Sequence, residues 1–166
     1  YAYSYLEKYS SSKQQLRTYL FKKLIKKKQN ITSKKEIFNL IDVVITNLVD
    51  QKLLSDKYYS DVKSKAFLRK GYSLNKIRYN LIKKGIDQKY IKDSISKIKE
   101  NESDPDFFSA IKMCKRRRIG PIREEANRTI FFKKDISILA RSGFSKEISK
   151  KILEMQKEEF KKFLKM

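Results

Sequence analysis

The chain has 166 residues, with 41 Lys and Arg against 19 Asp and Glu and no His, for a formal net charge of +22. The missing His excludes imidazole acid–base catalysis, Ser-His and Cys-His nucleophile pairs and His-ligated metals, and the single Cys114 allows neither an internal disulfide nor a Cys zinc site and suits a reducing, cytoplasmic setting. Four glycines cannot make a Gly-rich phosphate loop, no apolar run approaches the roughly 18 residues of a membrane span, and 40% hydrophobic residues are enough to build a core.

The chain begins at Tyr1 rather than Met, as expected of a trimmed fragment, and shows no secretory signal. A short helix is expected over 2–9, and Ser12 is a cap candidate for a second over 12–28. Lys26-Lys27-Lys28 and a polar link to Thr32 then stand where later segments have a glycine turn, which implies a longer corner. Ser33-Lys34-Lys35-Glu36 reads as a capping box for a helix over 33–50, with Ile37, Ile41, Val44, Ile45 and Leu48 on one stripe. Ser55, Ser73 and Asp87 are cap candidates for helices over 55–70, 73–84 and 87–100, the second with the stripe Ile77, Leu81 and Ile82. Gly71, Gly85 and Gly143 each follow a helix end and suit the position that closes it.

Glu100, Glu102, Asp104 and Asp106 mark the end of one helix and a dipole-favoured start of the next. Pro105 and Pro121 suit the first positions of helices over 105–118 and 121–142, with Phe131-Phe132-Lys133-Lys134 a candidate break in the second. Ser145 opens a last helix over 145–165, carrying Ile148, Ile152, Leu153 and Met155. The count is nine helices and no strand, so the fold class is all-α.

Two offsets point to repetition. Ser12, Leu16 and Leu20 match Ser73, Ile77 and Leu81 at 61 residues, and Gly85-Ile86-Asp87 matches Gly143-Phe144-Ser145 at 58. Three tandem three-helix repeats are expected, over 1–51, 52–103 and 104–166, forming an elongated, curved array. The charge divides as +6, +7 and +9 over 1–50, 51–104 and 105–166, so a basic surface runs through all three. A/T-rich codon usage accounts for Lys exceeding Arg, but not for Lys exceeding Glu. The charge asks for nucleic acid, an anionic membrane face or an acidic protein.

Candidate contacts are basic. Lys115-Arg116-Arg117-Arg118 is the densest cluster, and three arginines in succession, where the chain has only nine, favour phosphate binding over a solvated helix end. Lys26, Lys27, Lys28, Arg69, Lys70, Arg78, Lys83, Lys84, Arg123 and Arg141 are the other cationic candidates for a polyanion. Tyr72, after Gly71, offers a stacking face for an unpaired base, although an aromatic there ordinarily closes the helix end. Tyr58-Tyr59 reads as edge and core. Cys114 has no partner to activate it.

Several segments resemble one family, the RecX regulators of the RecA recombinase. They are Leu48 to Tyr59, with Lys52 where the family usually has Gly and Ser55 where it usually has Asp, Gly71-Tyr72-Ser73 through Lys84-Gly85-Ile86-Asp87, and Leu139 to Ser145. Arg116-Arg117-Arg118-Ile119-Gly120-Pro121 and Tyr9-Ser10-Ser11-Ser12 resemble one branch of it. The resemblance implies a helical-repeat protein lying in the groove of the RecA–single-stranded DNA filament. Such a protein suppresses ATPase and strand exchange and limits RecA-assisted repressor cleavage in the SOS response. The partners implied are RecA and single-stranded DNA, with double-stranded DNA a further candidate, for a monomeric, non-enzymatic protein with no cofactor and no membrane contact. The rival readings are a stand-alone DNA- or RNA-binding module and a scaffold for an acidic protein. Glu124-Glu125 and Asp104/Asp106 sit in no recognisable catalytic constellation.

Overall fold

The computed structural model describes residues 1–27 and 33–165, so Lys28 and most of the polar link lie outside the described residues. Ten α-helices and one 3-10 turn occur among them, with no strand: α1 (Ala2–Leu6), α2 (Lys13–Lys27), α3 (Lys34–Asp50), α4 (Asp56–Arg69), α5 (Leu74–Lys83), α6 (Gln88–Asn101), α7 (Pro105–Arg117), the 3-10 turn (Gly120–Ile122), α8 (Glu125–Arg141), α9 (Lys146–Leu153) and α10 (Lys157–Phe163).

Local chemistry sets these boundaries. Side-chain oxygens of Ser12, Ser33, Ser55, Ser73, Asp87, Asp104 and Ser145 each accept a backbone N–H two or three residues on, supplying partners for amides that the first helical turn leaves open. At five helix ends paired backbone bonds close the last turn around a left-handed residue. Gly71, Gly85 and Gly143 were expected there; Lys52 (φ 58°) and Arg118 (φ 54°) do the same without being glycine.

Two expected helices divide. Pro121 is the middle residue of the 3-10 turn and does not open a long α-helix, because the Asp135 carboxylate on α8 accepts the Gly120 N–H at 2.9 Å and the Arg123 guanidinium at 2.8 Å. That pins 120–123 against α8, which itself runs unbroken through Phe131-Phe132. The helix expected over 145–165 stops at Leu153, where Arg128 Nη2 donates to the Leu153 and Met155 carbonyls and Met155 turns into the core. In the two stripes, Ile37, Ile41, Ile45, Leu48, Ile77 and Leu81 are buried, whereas Val44 and Ile82 are exposed. Tyr59 is buried and Tyr58 exposed.

The chain forms two compact units, Tyr1–Val62 with Leu81–Lys92, and Lys63–Asn80 with Asp93–Met166, so α4, α5 and α6 each contribute to both. The first is built on Leu16, Leu20, Ile37, Ile41, Ile45, Leu48 and Leu54, between α2 and α3. The second is built on Phe107, Ile111, Cys114, Leu139, Ile152 and Phe160, from α7 to α10. Fully burying one such side chain contributes about 1.5–3 kcal/mol. Burial also pushes the Cys114 thiol up to about 12, leaving it protonated and inert at neutral pH.

Each unit contains the same joint. In the first, Ser12 Oγ donates to the Lys84 carbonyl at 2.5 Å and the Asp56 carboxylate accepts the Lys13 N–H at 2.9 Å. In the second, Ser73 Oγ donates to the Ser142 carbonyl at 2.7 Å and Asp106 accepts the Leu74 N–H at 2.7 Å. Ser12 to Ser73 and Lys84 to Ser142 are the pairs related by the offsets of 61 and 58 read from the sequence. A Cβ at Gly143 would lie 2.5 Å from Ser73 Oγ, and one at Gly85 would enter the Gln14 side chain, so close approach and positive φ both require glycine. Burial raises the Asp56 and Asp106 carboxyls above the usual range, opposed by their backbone hydrogen bonds.

Candidate nucleic-acid interface

Within the second unit, three helix ends and one helix start converge on a cavity of about 360 Å3. After α4, Gly71 directs Tyr72 back over the helix, where its ring stacks on Phe67 with centroids 5.4 Å apart and planes within 4°. The last turn of α7 supplies Arg116 and Arg117, the last turn of α8 supplies Arg141, and the first turn of α5 supplies Lys76. Met113, Ile138 and Ser142 complete the lining.

Arg116 is held in place. Its Nη1 donates to the Lys70 carbonyl at 2.7 Å, tying the end of α4 to α7, and its guanidinium carbon lies 5.9 Å from the Tyr72 ring centroid. Arg141 Nε donates to the Ser137 carbonyl at 3.2 Å, which leaves both terminal amino groups of its fork available. The cavity therefore has four cations, no lining carboxylate, an apolar strip and a half-buried phenol ring. Such a surface suits an anion that carries a planar apolar part, as an unpaired nucleotide does. Each exposed contact is weak, about 1 kcal/mol at 4 Å in water, so affinity must come from many of them and must fall with salt.

Of the candidates read from the sequence, Tyr72, Arg116, Arg117 and Arg141 meet in this cavity. Lys76 joins them; as one of 32 lysines it carried no signal beyond its place one turn after the Ser73 cap. Lys115 lies instead beside Phe108 and Phe163. Arg118 is exposed, in the left-handed residue that ends α7. Arg78 donates to Asn75 Oδ1 at 3.4 Å. Arg69 is an exposed residue of the last turn of α4, and Lys70 contributes its carbonyl to Arg116. Arg123 is committed to Asp135 by a bidentate pair at 2.8 Å, with its Cζ 4.6 Å from the Phe131 ring centroid, and the hydrogen bond to Asp135 raises its pKa further. In the first unit, Lys83 and Lys84 line a different cavity, Lys26 is exposed near the end of α2, Lys27 is the last residue of that helix, and Lys28 lies outside the described residues.

The described residues thus form an all-helical protein whose cavity in the second unit presents cations and a ring. No family model matches the chain. It is 28% identical over 159 residues to the regulatory protein RecX of Myxococcus xanthus (strain DK1622), covering 92% of this chain and 82% of the relative. A crystal structure of regulatory protein RecX shares its fold, with a TM-score of 0.62 and 20% identity over 92% of this chain and 70% of that one. The chain thus resembles the RecX regulatory proteins over nearly its whole length. No helix among the described residues is long and apolar enough to cross a membrane.

Proposed function

We propose that this chain is a negative regulator of the RecA recombinase. It binds the RecA–single-stranded DNA filament as a monomer and lowers the filament's ATPase, strand-exchange and coprotease activities. The observation that carries this reading is a cavity of four cations and Tyr72 in a chain similar to a RecX regulatory protein over 92% of its length. Its helices are read as three three-helix repeats, over 1–51, 52–103 and 104–166; the joint made once in each unit, at the offsets of 61 and 58, supports the repetition.

The mechanism is occupancy. Arg116, Arg117 and Arg141 pair with strand phosphates while Tyr72 lies against a base, and the remaining basic candidates contact other phosphates or acidic surface of RecA. A protein held in this way blocks the filament without chemistry of its own.

The test is single-stranded-DNA-dependent ATP hydrolysis by RecA, followed as the protein is titrated in. The expected result is progressive inhibition, complete at or below stoichiometric amounts. Unchanged hydrolysis at excess protein would overturn the reading. Capture of RecA after nuclease treatment separates it from a stand-alone nucleic-acid binder, which would retain nothing.

A further inference from the structure

Three tyrosine rings stand together in the first unit, Tyr5 on α1, Tyr19 on α2 and Tyr9 between them in sequence. Tyr5 stacks on Tyr19 with centroids 4.2 Å apart and planes 23° from parallel, and Tyr9 leans on Tyr5 at 5.1 Å. The inner pair is half-buried against the core, but Tyr9, just past the helix, is 57% exposed. A cavity of about 430 Å3 lies along this step, bounded by Lys8 and Lys23, and a second of about 340 Å3 shares Tyr5 and Tyr19 and is bounded by Lys22 and Lys84. No carboxylate lines either one. Lys23 Nζ lies 5.9 Å from the Tyr19 centroid.

Packing requires Tyr5 and Tyr19 but leaves most of Tyr9 without partners. An exposed ring continuing a stack, with ammonium groups on two sides, has the two features that a single strand uses: a π-face for a base and cations for the adjoining phosphates. An acidic peptide would use the lysines and not the ring. A membrane surface would favour Trp, which the chain lacks, and aliphatic side chains, none of which lines these cavities among the described residues.

We infer that the Tyr5–Tyr9–Tyr19 step is a second contact for single-stranded nucleic acid, taking an unpaired base on Tyr9 and phosphates on Lys8, Lys22, Lys23 and Lys84. The inference rests on the reading of the chain as a protein that engages single-stranded DNA, and it adds a stacking site to the first unit.

The test uses the full chain, fluorescein-labelled oligo-dT and a blunt duplex of the same length, with binding followed by fluorescence anisotropy. Tyr9→Leu is expected to weaken oligo-dT binding by about five- to a hundredfold and to leave duplex binding unchanged, whereas Tyr9→Phe keeps the wild-type affinity. Lys8→Gln with Lys23→Gln is expected to weaken binding and to reduce the salt slope for oligo-dT by about 1.4. Wild-type affinity of Tyr9→Leu for oligo-dT, or equal loss for strand and duplex, overturns the inference. RecA inhibition by the wild-type protein is scored separately: inhibition together with an indifferent Tyr9 removes this site alone, and absence of inhibition removes the RecA reading whatever Tyr9 does.

Discussion

Each unit has its own copy of the same joint, and the two differ in what they carry. Eight of the nine arginines fall in the second unit, at 69, 78, 116, 117, 118, 123, 128 and 141, while eight of the ten tyrosines fall in the first, at 1, 3, 5, 9, 19, 58, 59 and 90. The arginines also have two different jobs. Arg123 and Arg128 are internal staples, one gripping the buried Asp135 and the other the carbonyls that end α9, whereas Arg117 and Arg141 line a solvent-facing cavity. Among its described residues the first unit has no such arginine staple; its Arg17 pairs with Asp42 at the surface, where an ion pair contributes about 0–1 kcal/mol. Residue type alone therefore does not assign function here, and the environment of each guanidinium does.

The sharpest way to break this contrast is Asp135→Ala. It leaves the Arg123 guanidinium, whose side chain is 21% exposed, and the buried Gly120 N–H without their acceptor, and a loss of about 3 kcal/mol, the low end for breaking a buried pair, is expected in urea unfolding. Arg17→Ala, the nearest counterpart in the first unit, is expected to cost less than about 1 kcal/mol.

The equivalence of the joints is tested by Gly143→Ala and Gly85→Ala. Left-handed backbone costs an L residue about 1–2 kcal/mol. The loss of the Ser73 hydrogen bond adds about 1 kcal/mol at Gly143, for a total near 2–3 kcal/mol. Gly85→Ala is expected to cost about 2 kcal/mol, from the left-handed backbone and the displacement of the Gln14 side chain. A neutral result at either glycine would show that the two joints do not carry equal weight. Lys52→Gly, which relieves a left-handed side chain at the position where the resembled family usually has Gly, is expected to stabilise by about 1 kcal/mol, read as a rise in Tm.

The smallest effect is pH-dependent. Asp56 and Asp106 have pKa values raised above 3.8 in the folded protein, chiefly by burial, so the folded state holds their protons more tightly than the unfolded state does. Their contribution to stability is fully present below pH 3.8 and is lost as pH rises through the folded values. Relative to the variant Asp56→Asn with Asp106→Asn, the wild type should lose stability as pH rises across that window. A difference that grows with pH would contradict the sign.

Much of the helical order was legible because it is written locally. Ser12, Ser55, Ser73, Asp87 and Ser145 are short polar side chains at helix starts, and each caps as expected. The joint was foreshadowed by spacing alone. The left-handed turn at Arg118 was not legible, since no glycine announces it, while the resemblance did mark Lys52. The split of 121–142 depended on Asp135 reaching back across a turn, and the stop at Leu153 on Arg128, 25 residues earlier. Likewise nothing in the sequence distinguishes Arg123 from the other cations, because the carboxylate that holds it lies on the next helix. Lys76 entered the cavity through tertiary packing that a lysine-rich sequence cannot display.

The cavity of the second unit is tested most directly by Arg117→Gln with Arg141→Gln, because neither side chain carries a buried ion pair. Titrated into RecA hydrolysing ATP on single-stranded DNA, the folded double variant should need at least about tenfold more protein than the wild type for half inhibition, with a shallower salt dependence. Equal inhibition by variant and wild type, at matched helical content and salt, would contradict the assignment of this cavity to the filament.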